Sequence, residues 1–424
     1  MHSAVAIDGE AIVREGPLER SAVLSRVFSL LILLGAAGFA LGFATRPAGE
    51  VWSVYWVNVF FWTGLACGGV VTSAIFQIVR AKWSAPIRRL GESFVSFLPF
   101  AYIFFLFSIL GREHLFPWAR TPMPGREWWM QPDFVYARFA ILLAILFWFM
   151  SRFVSLSLRG DVALAQQKAP SDGRWQAWWC NRLTRNFHGS KEEILETQRS
   201  LSVRAPLLIL FYAVIYSLFA FEMLMATDVM WFSNMYGGFI FLGNIYVAWG
   251  GILLVTIYAT RRHRSFGGAV SQDQLWDTGK LMFAFCMLWG YTFFAQFLPQ
   301  WYGNLPEETQ WLILRTRELP WKQLGWVTFA MAFIIPFIVL LSRDVKRTPK
   351  VLIPIIAVIW CGVWLDKYMV VMPQVSPAAI PFGMLEILSF LGFLGAFGLC
   401  VLGFLTRYPL AIVSSPLAKG SVEW

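Results

Sequence analysis

Charge is scarce in this chain of 424 residues: Asp, Glu, Lys and Arg make up 14%, against about 25% in an ordinary soluble domain. So few ionisable side chains could not cover a water-soluble body of this size, which excludes a soluble enzyme and makes lipid the solvent. Histidine is scarcer still, with His2, His114, His188 and His263 all outside the apolar runs. That argues against a b-type haem, which needs imidazoles projecting from within spanning helices. The five cysteines (Cys67, Cys180, Cys286, Cys361, Cys400) are widely spaced with no C-x-x-C, and four fall in apolar runs. An iron–sulfur cluster, a zinc site and a disulfide framework are therefore disfavoured, and no metal or covalently held cofactor is expected.

What the chain has in abundance is apolar surface: 58% apolar residues, 22 Trp and 39 Phe, with a mean hydropathy of +0.58. Runs of about 20 apolar residues, enough to cross roughly 30 Å of hydrocarbon as helix, occur ten times. They lie near 25–44, 54–79, 92–111, 133–157, 205–227, 237–259, 277–299, 321–342, 350–372 and 383–406. The fold class expected is all-α, a polytopic membrane protein. Residues 1–24 carry Asp8, Glu10, Glu15 and Glu19 where a signal peptide would be basic, so they read as a retained tail. Residues 25–407 form the transmembrane domain, 158–204 a loop within it and 408–424 a second tail. With the N-terminus inside, 25 Lys and Arg fall on the inner side and seven on the outer. This positive-inside asymmetry predicts a cytoplasmic location for both termini and explains the net charge of +10 without nucleic acid.

The 158–204 loop contains Trp175, Trp178, Trp179 and Leu183 beside Arg174, Arg182 and Arg185, a spacing that predicts a basic amphipathic helix in the headgroup plane. Ser190 and Glu193 predict a capping box starting a helix that runs to Pro206.

Ionisable groups inside spans are costly, which makes each a functional candidate. Most lie toward the outer face: Glu222 and Asp228 on span five, Asp366 and Lys367 on span nine, Arg138 and Asp133 on span four, Glu386 on span ten, and Glu113 and His114 after span three. Glu222 and Asp366 have no partner at helical spacing, although Lys367 or Arg138 could clamp Asp366. Desolvation would favour their protonated forms, the behaviour a proton relay needs. On this reading Glu222, Asp366, Lys367, Arg138, His114, Glu113 and Asp228 form an outer half-path, and Glu92, Asp277 and Lys280 an inner one. Asp277 and Lys280 stand three apart and most simply pair with each other.

Three stretches carry a resemblance: WTGLACGGVVTSAIFQIVRAKWSAPIRRLGE (Trp62 to Glu92), QFLPQWYGNLPEETQWLILRT (Gln296 to Thr316) and WLDKYMVVMP (Trp364 to Pro373). They resemble the NrfD or polysulfide-reductase-type membrane subunits, and among these the second quinone-binding (F-type) subunit of alternative complex III, a bacterial quinol:cytochrome c oxidoreductase. The resemblance implies two four-helix bundles, spans two to five and six to nine, with flanking helices. It also implies a place in the bacterial cytoplasmic membrane. Implied partners are a homologous NrfD-like membrane subunit, a periplasmic iron–sulfur subunit, and multihaem and monohaem cytochromes c. A quinone, menaquinone included, is the one small-molecule cofactor it leaves open. Cys67 stands where the quinol-oxidising homologue has a histidine at the headgroup near the outer face, so this chain reads as a remnant of that site. In the WYGNLPEET segment Trp301 and Tyr302 suit the outer interface, Gly303 and Pro306 suit a tight turn around Asn304, and Glu307 and Glu308 suit a helix cap or partner contact. The segment is expected to be a docking loop. Three functions stay open: a quinone- or proton-handling subunit, a structural scaffold for the quinol-oxidising homologue, and a secondary transporter. The Gly68-Gly69, Gly237-Gly238, Gly250-Gly251 and Pro354 interruptions do not align as the paired broken helices of a transporter.

Overall fold

Among the described residues of the computed structural model, ten helices are long and apolar enough to cross a membrane, and the protein is an all-α polytopic membrane protein. Residues 8–169 and 173–415 are described; His2 and Lys419 lie outside them, as do the side chains of Glu307 and Glu308. The spans are α1 (Ala22–Thr45), α2 (Ala48–Ile78), α3 (Lys82–Leu115), α4 (Pro132–Lys168) and α5 (Lys191–Thr227). They continue as α6 (Tyr236–Arg262), α7 (Gln272–Gly303), α8 (Trp321–Leu341), α9 (Pro349–Val375) and α10 (Met384–Leu405). Each contains one of the ten apolar runs or overlaps nearly all of it. Serine caps start three of them: Ser21 Oγ accepts from the Leu24 amide, and Ser190 and Ser271 build capping boxes with Glu193 and Gln274.

Successive contacts join α2, α3, α4 and α5 into one ring and α6, α7, α8 and α9 into a second. The rings meet through α2, which packs on α6 and α9 as well as on its own ring, and is almost wholly buried. The flanking α1 and α10 pair with each other. Gly35 and Gly392 let their backbones touch, since a β-carbon at Gly35 would lie 2.5 Å from Gly392 Cα; in lipid such small-residue seams hold helices by close packing.

The end of the bundle that receives the short helix Gly9–Glu15 is the proximal face, and the opposite end is the distal face. Four expectations change on the proximal face. Residues 8–21 and 408–415 are not free tails: Ile12, Val13, Leu18 and Leu410 to Val413 are buried, the Leu18 amide donates to Leu405 O at 3.1 Å, and Ile412 to Ala85 O at 3.2 Å. The 158–204 loop is mostly helix, because α4 runs to Lys168 and α5 starts at Lys191. The helix opening at Ser190 does not stop at Pro206 but continues to Met223; a break there would free more backbone groups within the membrane. The amphipathic helix is reduced to Trp178–Leu183. Trp175 lies outside it and is fully buried, donating from Nε1 to Val13 O at 3.3 Å. The N-terminal segment, rather than lipid, takes up its ring.

Candidate functional site

At the distal end of the first ring, α4 and α5 bring Arg138 against Glu222. The two form a salt bridge, and the other carboxylate oxygen accepts from Trp129 Nε1 at 2.8 Å. The guanidinium lies 4.1 Å from the Trp129 ring centroid and 4.9 Å from that of Phe134, so the cation is held by both charge and π faces. Glu222 is therefore not the lone carboxylate that its helical spacing suggested, and Arg138 is its partner rather than a clamp on Asp366. Asp366 accepts from its neighbour Lys367 at 2.9 Å. Lys367 is 1% exposed, with Nζ 5.7 Å from the Phe239 ring centroid. Nearby Tyr236 is buried, its hydroxyl without a hydrogen-bond partner among the described residues.

The remaining distal groups are dispersed. Asp228 accepts from Gln374 Nε2 and from the Met230 amide at 3.0 Å. Glu113 and His114 are exposed, with His114 Nδ1 3.3 Å from Arg120. Asp133 is exposed and pairs with Arg112. Glu386 takes Arg46 at 2.8 Å and the Gly383 amide at 2.8 Å. Among the described residues no direct hydrogen bond links these groups to one another in a chain, but they share one end of the molecule.

Arg315, one of the seven basic residues counted on the outer side, is buried. It lies on the helix Pro306–Thr316, donates to Met369 O at 2.7 Å and Val370 O at 3.1 Å, and stacks 4.0 Å over Trp311. Burial pulls its pKa down to about 9, against the raising effect of Asp228. The stretch before that helix, the end of α7 and the turn after it, is strongly exposed, Trp301 at 59%, Tyr302 at 84% and Leu305 at 56%. Its turn is made by Asn304 at φ 46°, not by Gly303, which is still helical; asparagine is among the residues that tolerate this left-handed cap.

On the proximal side Glu92 is far more deeply set than a span start implies. It accepts from Arg89, from Ser73 Oγ at 2.7 Å and from Ser157 Oγ at 2.9 Å. Arg89 bridges to Asp161, which also accepts from the Val413 amide at 3.1 Å and the Ser414 amide at 2.7 Å. Arg88 donates to Ser73 Oγ at 3.0 Å and Gln77 Oε1 at 2.6 Å. Two cations and two anions thus balance inside the protein, with each acid saturated by donors. Arg88 and Arg89 are buried members of this cluster rather than solvated loop charges. Their i, i+4 and i, i+3 spacing to Glu92 was the available sequence signal, and Asp161 within the apolar GDVALA stretch was another. Among the described residues, none of the cluster's hydrogen bonds reaches Asp277 or Lys280, which pair with each other at 2.6 Å at the start of α7.

Cys67 is fully buried past the middle of the 31-residue α2, not near its distal end. Packing there is tight: a β-carbon at Gly64 would lie 2.1 Å from Asn244 Oδ1, and Asn244 Nδ2 donates to the Tyr212 hydroxyl at 2.9 Å. Among the described residues no group of three or more His, Cys, Asp and Glu is placed to hold a metal ion. The chemistry available is proton exchange within charged pairs, each exchange breaking a charge-assisted hydrogen bond. The chain matches no model of a known protein family and no curated protein.

Proposed function

We propose that this chain is a membrane subunit of a quinol:electron-acceptor oxidoreductase of the alternative complex III type. It carries no redox group of its own and contributes proton-handling groups to the distal half of the bilayer. The observation that supports this most is the pair of ion pairs held within the spans toward one face, Arg138–Glu222 and Asp366–Lys367. Intramembrane charge of this kind is expensive and is kept where ions or protons are handled. The exposed Trp301 and Tyr302 lie at the same end and suit a docking surface for periplasmic partners. Those partners are an iron–sulfur subunit and multihaem and monohaem cytochromes c, with a homologous membrane subunit alongside. In this reading the distal face is periplasmic, both termini are cytoplasmic and the membrane is the bacterial inner membrane.

Glu222→Gln and Asp366→Asn in the assembled complex should each lower quinol turnover or proton release. Unchanged turnover and proton stoichiometry in both variants would remove the proposal. A scaffold reading is favoured by one observation, the close packing around Cys67. A photoreactive quinone separates the two. Label on the distal residues of this chain supports participation, and label confined to the homologous subunit supports the scaffold.

A further inference from the structure

A lateral groove of about 490 Å³ opens between α3, α4 and α10 toward the proximal end of the spans. Val95 and Phe100, Val154 and Leu158, and Leu399 and Gly403 form its walls. The serines there do not make it polar. Ser96 Oγ donates to Ser93 O, Ser151 Oγ to Phe147 O and Ser155 Oγ to Ser151 O, each at 2.7 Å, so their protons are spent within the helices. Gly403 leaves open space, since a β-carbon there would meet nothing within 4 Å.

The mouth of the groove is cationic and aromatic. Arg407, just beyond the end of α10, is exposed, sits 5.3 Å from the Trp179 ring centroid, and pairs with no carboxylate among the described residues. Beside it the Tyr408 ring lies 4.9 Å from Phe404. Exposed Arg152 and Arg182 adjoin the lining residues Ser151 and Leu183. Ser151 to Leu158 spans roughly 10 Å of helix. An apolar slot of that length ending in an exposed guanidinium beside aromatic rings matches an acyl chain that continues into a phosphate.

We infer that this groove binds one anionic phospholipid. An acyl chain lies along α3, α4 and α10, and the phosphate oxygens accept hydrogen bonds from Arg407. A zwitterionic lipid fills the slot equally well but brings an ammonium to the same cationic rim, so headgroup charge sets the preference. The site is separate from the distal ion pairs and does not depend on the function proposed for them.

Native mass spectrometry of the full chain, with phosphatidylglycerol or phosphatidylcholine of identical acyl chains, tests the inference. One phosphatidylglycerol should be retained with roughly fivefold preference, the effect of one cation near an anionic surface. Arg407→Gln should bring the two lipids to parity, and Gly403→Phe should lower retention of both. Alkylation of Cys400, on the groove wall, should be slowed more by phosphatidylglycerol than by phosphatidylcholine, whereas Cys361, exposed elsewhere on the chain, should respond equally to both. Equal retention by the unaltered chain, or a preference that survives Arg407→Gln, overturns the proposal. The Cys400 measurement needs no substitution, so equal protection by the two lipids overturns it even where a variant fails to fold.

Discussion

Arg138 and Glu222 lie 84 positions apart in the chain and meet in one buried salt bridge. Removing one partner of such a pair leaves the other charge uncompensated, which is more damaging than removing both. Glu222→Gln is expected to lower stability by about 3 kcal/mol, and an Arg138→Met, Glu222→Met double variant to recover most of that loss, read by thermal unfolding in detergent. A double variant as unstable as the single one would assign the site to Trp129 and Phe134 packing rather than to charge. Glu15 gives a second test on the proximal face. It accepts from the Arg264 amide at 2.8 Å and the Ser265 amide at 2.7 Å, beside His263 at 3.3 Å. Burial raises its pKa, but the hydrogen bonds from Ser265 and Arg264, with His263, outweigh it, so the pKa falls below its ordinary 4.5. Because the folded value is the lower one, its contribution is complete above about pH 4.5 and lost as pH falls through the folded pKa. Hydrogen exchange over residues 8–18 should accelerate in that acid window, and Glu15→Gln should abolish the step.

Proline governs the elements that line the second ring. A proline lacks the N–H that would serve the carbonyl four residues earlier, and in lipid that carbonyl needs another donor. In α8 Pro336 leaves Ala332 in this position. The helix widens to a π turn over Ala330–Ile334, and the Tyr246 hydroxyl donates to Ala332 O at 3.2 Å while Cys286 Sγ approaches Phe333 O at 3.8 Å. In α9 Pro373 leaves Met369, whose carbonyl accepts from Arg315 Nε. Arg315 is thus explained by the broken helix it completes. Tyr246→Phe should cost about 1–3 kcal/mol, the penalty of an unsatisfied buried carbonyl. Tyr368→Phe, which removes a buried hydroxyl with no hydrogen-bond partner among the described residues, loses no hydrogen bond and should leave stability unchanged or raise it by up to about 1–3 kcal/mol. Equal effects in urea or thermal unfolding would mean that the Tyr246 hydrogen bond contributes nothing.

For the whole molecule, the proximal face is covered by the segments around Ile12 to Leu18 and Leu410 to Val413, while the distal face presents Trp301 and Tyr302 outward. If the termini are cytoplasmic, Tyr302→Cys should react with a membrane-impermeant maleimide from the periplasmic side only; labelling from the cytoplasmic side would invert the assigned orientation. The number, order and approximate limits of the spans were legible in the sequence because an apolar run must exceed the hydrocarbon thickness to cross it. Capping at Ser190 was legible for a similar reason, since its partner Glu193 is three residues away. The site was legible only as a set of candidates. Glu222 looked solitary because its partner is 84 residues distant, and the second partner of Arg89, Asp161, is 72 residues away. Sequence by itself thus determined which residues must lie in lipid, a property of local composition. Only the tertiary structure decided which charges neutralise one another, because in a low-dielectric interior the partner is whatever donor or acceptor the packing of distant helices brings within hydrogen-bond reach.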